Sequence, residues 1–323
     1  MNEFELIRTF FSRQVVARGD VVLGIGDDAA VLEVAAGSQL VVTTDLSVSG
    51  VHFLPDADPV SIGHKSLAVS LSDLAAMGAE PAWFTLDLCL PDLNVDWLRR
   101  FCEGLFGLAR RYNVQLIGGD TSRGALTIGV AAYGQVPRGQ MLRRSGARVG
   151  DRIYVSGTLG DAALVLAHHR GARRLPQDEV IVISDRLARP MPRVRAGIAL
   201  RTLASSCIDI SDGLLADLGH VVAASNVGAN IRLDRIPLSP VFRSHLGEVG
   251  WDAALAGGDD YELCFTVPAS NVAAVERLQP QFRESFADIG EIVDGSGVNV
   301  FDESDRPYRP AVRGHDHFRA ESA

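Results

Sequence analysis

The chain has 323 residues, 47% hydrophobic and 22% charged, with a formal net charge of −9. That is ordinary for a globular protein, with enough material for two domains and a sizeable core. The acidic balance without a basic run argues against nucleic acid as the main partner, no run of 18 apolar residues marks a membrane span, and the four scattered cysteines form no CxxC.

Residues 3–17 read as an amphipathic helix carrying acids, without the positive start and long apolar core of a signal peptide. With cysteines this far apart, a cytoplasmic protein with reduced thiols is the expectation. QLVVTT (39–44) reads as a strand that delivers Asp45 at its end. Residues 60–77 carry apolar side chains at helical spacing and stop at Gly78, a C-cap. WFTLDLCL (83–90) alternates as a strand, Pro91 and Asp92 break it, and 95–112 returns to helix. VQLIGG (114–119) is a buried strand ending at Asp120, and 126–136 is another.

Residues 137–151, rich in Gly and Arg, lack apolar periodicity and mark a boundary, giving domains 1–148 and 149–323. Beyond it, 152–157 starts a strand, a helix begins at Asp161, and 170–178 is a polar loop. Helices follow over about 180–203, interrupted by Pro190 and Pro192. SSCIDIS is a strand leading into the helix GLLADLGHVVAAS. Strands are expected at 229–234, 261–267 and 285–293, with a helix near 270–279. The fold class is therefore α/β (α+β) in two domains, and the shared Ser-Asp-before-helix pattern of LSDLAAMG and ISDGLLADLG hints at two distantly similar halves.

Six aspartates sit in runs of small residues: Asp28 in GIGDDAAV, Asp45 in VVTTDLSVSG, Asp73 in SLSDLAAMGA, Asp120 in LIGGDTSRG, and Asp209 and Asp212 in CIDISDGLLADLG. Small neighbours leave room for a close approach, and hard oxygen ligands suit Mg²⁺. An acidic cluster repels phosphate unless metal ions intervene, which points to metal-assisted phosphoryl transfer. Singly, each has a plainer reading. Asp27–Asp28 fit a turn, Asp45 fits an N-cap, and capping explains one of Asp209 and Asp212. Asp73 is different, because a carboxylate among apolar residues inside a helix needs a cation. Arg144 reads as a phosphate clamp or a solvated linker residue, His52 as a packed histidine or a contact, and the acids of GGDDYELCF as a turn or the face of a cationic ligand. The only lysine, Lys65, follows His64, so no Walker A loop exists, and no G-x-G-x-x-G opens a βαβ unit.

In order, GIGDDAAV, TTDLSVSGVHF, KSLAVSLSDLAAMGAEP, LIGGDTSRG, RSGARVGDRIYVSGTLGDA, IDISDGLLADLGHV, GGDDYELCFTV and GHDHF resemble the thiamine-monophosphate kinase family, in the aminoimidazole-ribonucleotide synthetase superfamily. These runs span residues 24–318. The resemblance implies transfer of the γ-phosphoryl of ATP to thiamine monophosphate, direct and in line, with several Mg²⁺ ions and no phosphoenzyme. It implies a homodimer whose N-terminal mixed sheets join into a barrel, and a C-terminal α/β sandwich. Matched to the motifs, Asp28, Thr43, Thr44, Asp45, Asp73, Asp120, Asp209 and Asp212 fall on metal positions. Gly119, Asp120, Arg144 and Ser211 fall on nucleotide positions, with Asp120, Asp209 and Arg144 at the catalytic centre. His52, Asp259 and His315 fall on substrate positions. The family usually has Glu in place of Asp259 and an aromatic residue in place of His315. Two rivals remain. One is another enzyme of the superfamily, of which two usually carry a Cys near one terminus that this chain lacks. The other is a non-catalytic nucleotide or metal sensor.

Overall fold

The computed structural model describes residues 3–12, 16–311 and 314. The chain divides into two compact units, Met1–Met141 and Leu142–Ala323.

The first unit opens with a short helix α1 (Glu3–Leu6) that widens into a π-helical turn, Ile7–Phe11. The single helix expected over 3–17 is therefore cut short. Ser12 N–H reaches back five residues to the Ile7 carbonyl at 2.9 Å, and by Arg18 the backbone N–H is taken by the Gln115 side chain at 2.6 Å. Strands β1 (Val21–Leu23) and β2 (Val31–Leu32) pair antiparallel and hold the GIGDDA run between them. A four-stranded mixed sheet follows, in the order β3 (Ser38–Val48), β6 (Thr127–Pro137), β4 (Glu80–Leu90), β5 (Gln115–Arg123). Only β4 and β5 run parallel.

Two strands run further than their apolar cores predict. β3 continues to Val48, so Asp45 lies inside it, paired with Val130. β5 continues to Arg123, so Asp120 lies inside it, opposite Asp87. Both aspartates were expected at strand ends, and both extensions are polar because their partners supply the ladder. Helix α2 (Pro59–Ala76) is capped by Asp58, whose side chain accepts the Val60 N–H, and Met77 and Gly78, at φ 64°, end it. Helix α3 (Val95–Tyr112) is capped by Asn94 and ends at left-handed Asn113. α2 lies against β3, β6 and β4, and α3 lies against α2. The two helices touch through glycine. A Cβ on Gly63 would stand 2.0 Å from the Phe101 carbonyl oxygen, and one on Gly104 would stand 1.9 Å from that of Val60.

The second unit is built on a seven-stranded sheet in the order β13 (Pro307–Tyr308), β12 (Gly297–Phe301), β9 (Gly228–Arg232), β11 (Phe286–Val293), β7 (Arg152–Ser156), β10 (Leu263–Val267), β8 (Ser206–Asp209). All neighbours are antiparallel except β12 and β9. Its helices are α4 (Asp161–His169), α5 (Gln177–Ala188), α6 (Val194–Leu200), α7 (Leu214–Ser225), α8 (Pro240–Val249), α9 (Asp252–Ala256) and α10 (Val272–Leu278). Helix α5 begins inside the stretch read as a polar loop. The core joins Ile153, Val155, Ile208 and Cys264 of the sheet to Leu164, Leu218, Val221 and Phe242 of the helices. This is the mixed α/β fold in two parts that the sequence predicts.

Candidate active site

In the first unit, strand alternation sorts the candidate residues between two faces. Thr43 and Asp45 turn toward α2. There the Thr43 hydroxyl donates to Asp73, and the Ser70 hydroxyl donates to Asp45 at 2.6 Å. Residues 70 and 73 are neighbours on a helix surface, so one turn of α2 meets two alternate residues of β3. Asp73 is thus not the lone carboxylate expected. Burial, and then the charge of Asp73, push the Asp45 carboxyl up to about 6. A buried carboxylate whose pKa is raised beside a second carboxylate is matched to a hard divalent cation, which would offset both the burial and the repulsion.

Thr44 lies on the opposite, exposed face of β3. On that face the register aligns Leu46, Gly129, Asp87 and Asp120 across the four strands. Asp120 is exposed, and its N–H is taken by Asp87 Oδ1 at 3.0 Å. Asp28 stands elsewhere. With Asp27, Gly118 and Gly119 it lines a cleft of about 710 Å³ closed on another side by Arg8 and Phe11. Gly119, at φ 140°, admits no side chain, because a Cβ would sit 1.9 Å from the Leu86 carbonyl oxygen. His52 closes the turn after β3, its Nδ1 accepting the Val48 N–H at 3.0 Å.

In the second unit, Asp209 ends β8, nearly buried. The next turn is held by a residue that motif reading passes over. Asp217 Oδ2 accepts the N–H groups of Ser211, Asp212 and Gly213, each at 3.1 Å. This fixes the backbone between two candidate ligands. The Ser211 carbonyl accepts the Asp259 N–H at 2.9 Å, so Asp209, Ser211, Asp212 and Asp259 share one corner. Tyr261 Oη donates to Asp259 Oδ1 at 2.9 Å. Arg144 is exposed, while its backbone is tethered. The preceding Arg143 carbonyl accepts the Cys207 N–H at 2.8 Å, and Gly146 and Ala147 N–H groups are taken by Ser225 Oγ. A guanidinium on a fixed backbone beside β8 is free to meet an anion. His315 lies outside the described residues.

The structure therefore brings together Thr43, Asp45 and Asp73, then Asp28 with Gly119, and finally Asp209, Ser211, Asp212 and Asp259, while Thr44 and Asp120 share a sheet face but stand on opposite edge strands. Among the described residues no three His, Cys, Asp or Glu side chains converge as a ready metal site. Carboxylate pairs of this kind suit Mg²⁺, which takes one or two carboxylates and completes its shell with water and phosphate oxygens. Reading the motifs missed Ser70, Asp87, Asp217 and Tyr261. Asp217 had a signal, an acid within the apolar turn LLADLG placed four residues after Gly213.

The family model for AIR synthase related protein, N-terminal domain, matches residues 26–136, and that for its C-terminal domain matches residues 148–303. A thiamine-monophosphate kinase of Salmonella typhimurium is 45% identical over 321 residues, covering 98% of either chain. Among solved structures, a thiamine-monophosphate kinase from Stenotrophomonas maltophilia shares 50% identity and a TM-score of 0.83 over 88% of this chain and 92% of that one. AaThiL complexed with AMPPCP and TMP shares 33% identity and a TM-score of 0.77 over 90% and 92% of the two chains.

Proposed function

Because this chain belongs to the thiamine-monophosphate kinase family, with both AIR synthase related domains in order, we infer that it transfers the γ-phosphoryl group of ATP to thiamine monophosphate, giving thiamine diphosphate and ADP. The observation that carries this reading is identity to such kinases across nearly the whole of both chains. A relative whose structure holds AMPPCP and TMP supports the pair of substrates.

A phosphate oxygen of the acceptor attacks the γ-phosphorus while the bond to the β-bridging oxygen breaks, and ADP leaves. The acceptor phosphate is already anionic, so the step needs no general base. The problem is charge, since two polyanions meet among carboxylates. Asp28, Thr43, Thr44, Asp45, Asp73, Asp120, Asp209 and Asp212 are the proposed Mg²⁺ ligands. Asp45 and Asp120 occupy opposite faces of one sheet, which favours more than one ion. Bound there, Mg²⁺ supplies electrostatic stabilisation of the transferring phosphoryl group. Arg144, Ser211 and Gly119 are assigned to the nucleotide, with Arg144 offering a planar guanidinium to phosphate oxygens. Asp120, Asp209 and Arg144 make up the proposed catalytic centre. His52, Asp259 and His315 are assigned to thiamine monophosphate, where the Asp259 carboxylate balances the thiazolium charge. Residues 1–148 would carry the ATP, metal and dimer functions, and residues 149–323 would complete the site.

The proposed assembly is a homodimer. β3 is an edge strand, and on its open face Leu40, Val42 and Leu46 are 46%, 55% and 59% exposed. An edge with such an apolar stripe calls for a partner strand, and a second copy offers the matching one. No helix among the described residues is long and apolar enough to cross a membrane. We place the enzyme in the cytoplasm, where ATP is made available. The test is turnover of ATP, Mg²⁺ and thiamine monophosphate, read as thiamine diphosphate and ADP formed in equal amounts. ADP without thiamine diphosphate would favour another enzyme of the superfamily, and no turnover would favour a sensor.

A further inference from the structure

The candidate substrate contact Asp259 and its near neighbour Tyr261 hold backbone conformations that their side chains disfavour. Asp259 has φ 68° and Tyr261 has φ 49°. Aspartate visits the left-handed region at modest cost, whereas a bulky aromatic residue there is an outlier. Such conformations persist where surroundings over-determine them, and they gather at functional sites. Here the surroundings are explicit. Asp260, between the two, is buried, and its carboxyl oxygens accept the Gly160 N–H at 3.0 and 3.2 Å. Glu262, fully buried, accepts the Ser156 hydroxyl and Arg193 Nε, each at 2.6 Å, and pairs with Arg186 at 2.9 Å. A Cβ on Gly157, at φ 62°, would lie 2.2 Å from Glu262 Oε1, so the loop after β7 is shaped around this carboxylate. The Tyr261 N–H donates to the Ile210 carbonyl at 2.8 Å, beside the bond from Asp259 to Ser211.

Residues 260 and 262 are therefore pinned, and the residues before each of them are twisted to suit. What the twist yields is a contact between side chains two residues apart, from the Tyr261 hydroxyl to Asp259 Oδ1 at 2.9 Å. We propose that Tyr261 is a positioning residue for substrate specificity, its hydroxyl fixing the Asp259 carboxylate in the orientation that receives the thiazolium cation of thiamine monophosphate. This rests on the reading of Asp259 as a substrate contact. A carboxylate already oriented by a hydroxyl loses less rotamer freedom on binding. Tyr261 acts through Asp259, which is assigned to the thiazolium and not to the transferring phosphoryl group. Its effect is the same in ground state and transition state, and so belongs in KM rather than kcat.

The experiment is a double-mutant cycle on the full chain with Tyr261→Phe, Asp259→Asn and both together. Steady-state kinetics use thiamine monophosphate and ATP as varied substrates, and melting temperature is measured alongside. Phenylalanine keeps the ring and removes one hydroxyl. Tyr261→Phe should raise KM for thiamine monophosphate about five- to tenfold, with kcat and KM for ATP within about twofold of wild type. Asp259→Asn should raise the same KM at least as far, and the double variant should be no worse than Asp259→Asn alone. Effects that multiply would overturn the proposal, because the two residues would then act independently. A rise with Asp259→Asn and none with Tyr261→Phe would overturn the proposal and leave the Asp259 reading standing. No rise with Asp259→Asn would overturn both. A joint fall in melting temperature and rise in KM for ATP would mark a general structural role and overturn it as well.

Discussion

Replacing Asp45 with asparagine is expected to stabilise the metal-free protein and to weaken its response to Mg²⁺. Burial, and then the Asp73 charge, raise the Asp45 carboxyl from 3.8 to about 6. A rise of that size corresponds to at most about 3 kcal/mol between the protonated and ionised forms. The folded state holds this proton more tightly than the unfolded chain. The stabilisation is fully present below 3.8, declines as pH rises toward 6, and is gone at neutral pH. Asparagine keeps an oxygen for the Ser70 hydroxyl and has no proton to lose. In EDTA, variant and wild type should melt together near pH 4 and separate as pH rises, with the variant higher by up to roughly 6 °C at about pH 7.5. Mg²⁺ should raise the wild-type melting temperature by more than that of the variant, which keeps the ligands away from Asp45. Calorimetry across pH, with EDTA or Mg²⁺, reads both effects. A variant melting at or below wild type at about pH 7.5 in EDTA would refute the reasoning, as would an equal gain from Mg²⁺.

Asp120→Asn should lower kcat by about 100-fold or more while circular dichroism and melting temperature stay at wild-type values, since the side chain is exposed. Near-normal turnover would remove Asp120 from the catalytic centre. Val42→Asp with Leu46→Asp should turn the dimer into a monomer at micromolar concentration in sedimentation velocity, by putting charge on the stripe between copies; an unchanged dimer mass would place the interface elsewhere. Gly157→Ala should cost at least about 2 kcal/mol in urea unfolding, because the methyl group meets the Glu262 carboxylate and the backbone is left-handed. A loss under about 0.5 kcal/mol would show that the carboxylate yields.

The helices α2, α3 and α7 and the apolar centres of the long strands were legible because periodicity reports burial directly. Asp45 and Asp120 were legible as site candidates but misplaced along their strands. Their runs, TTDLSV and GGDTSR, look like turns, and only a neighbouring strand makes them ladder. The sorting of Thr43 from Thr44 onto opposite faces depends on which face α2 covers, a tertiary fact. Strand 261–267 began two residues late because Tyr261 is left-handed, and nothing in YELCFTV announces that. The pins behind it, Asp260 and Glu262, resemble ordinary turn acids until Arg186, Arg193 and Gly160, drawn from distant parts of the chain, are seen around them. Strands β1, β2 and β13, two or three residues each, were too short to carry any period.

Helix α3 holds none of the candidate ligands, yet its backbone bears on α2 at Gly63 and Gly104 with no side chain between. The glycine seam works as a shim of fixed thickness. It sets how deep α2 sits over the sheet, and thereby how far Ser70 and Asp73 stand from β3. Spacing between carboxylates is in this way calibrated from the outer layer of the fold. A methyl group added at the seam, without altering any ligand, would be registered at Asp45 as a changed acidity and at the metal as a changed affinity.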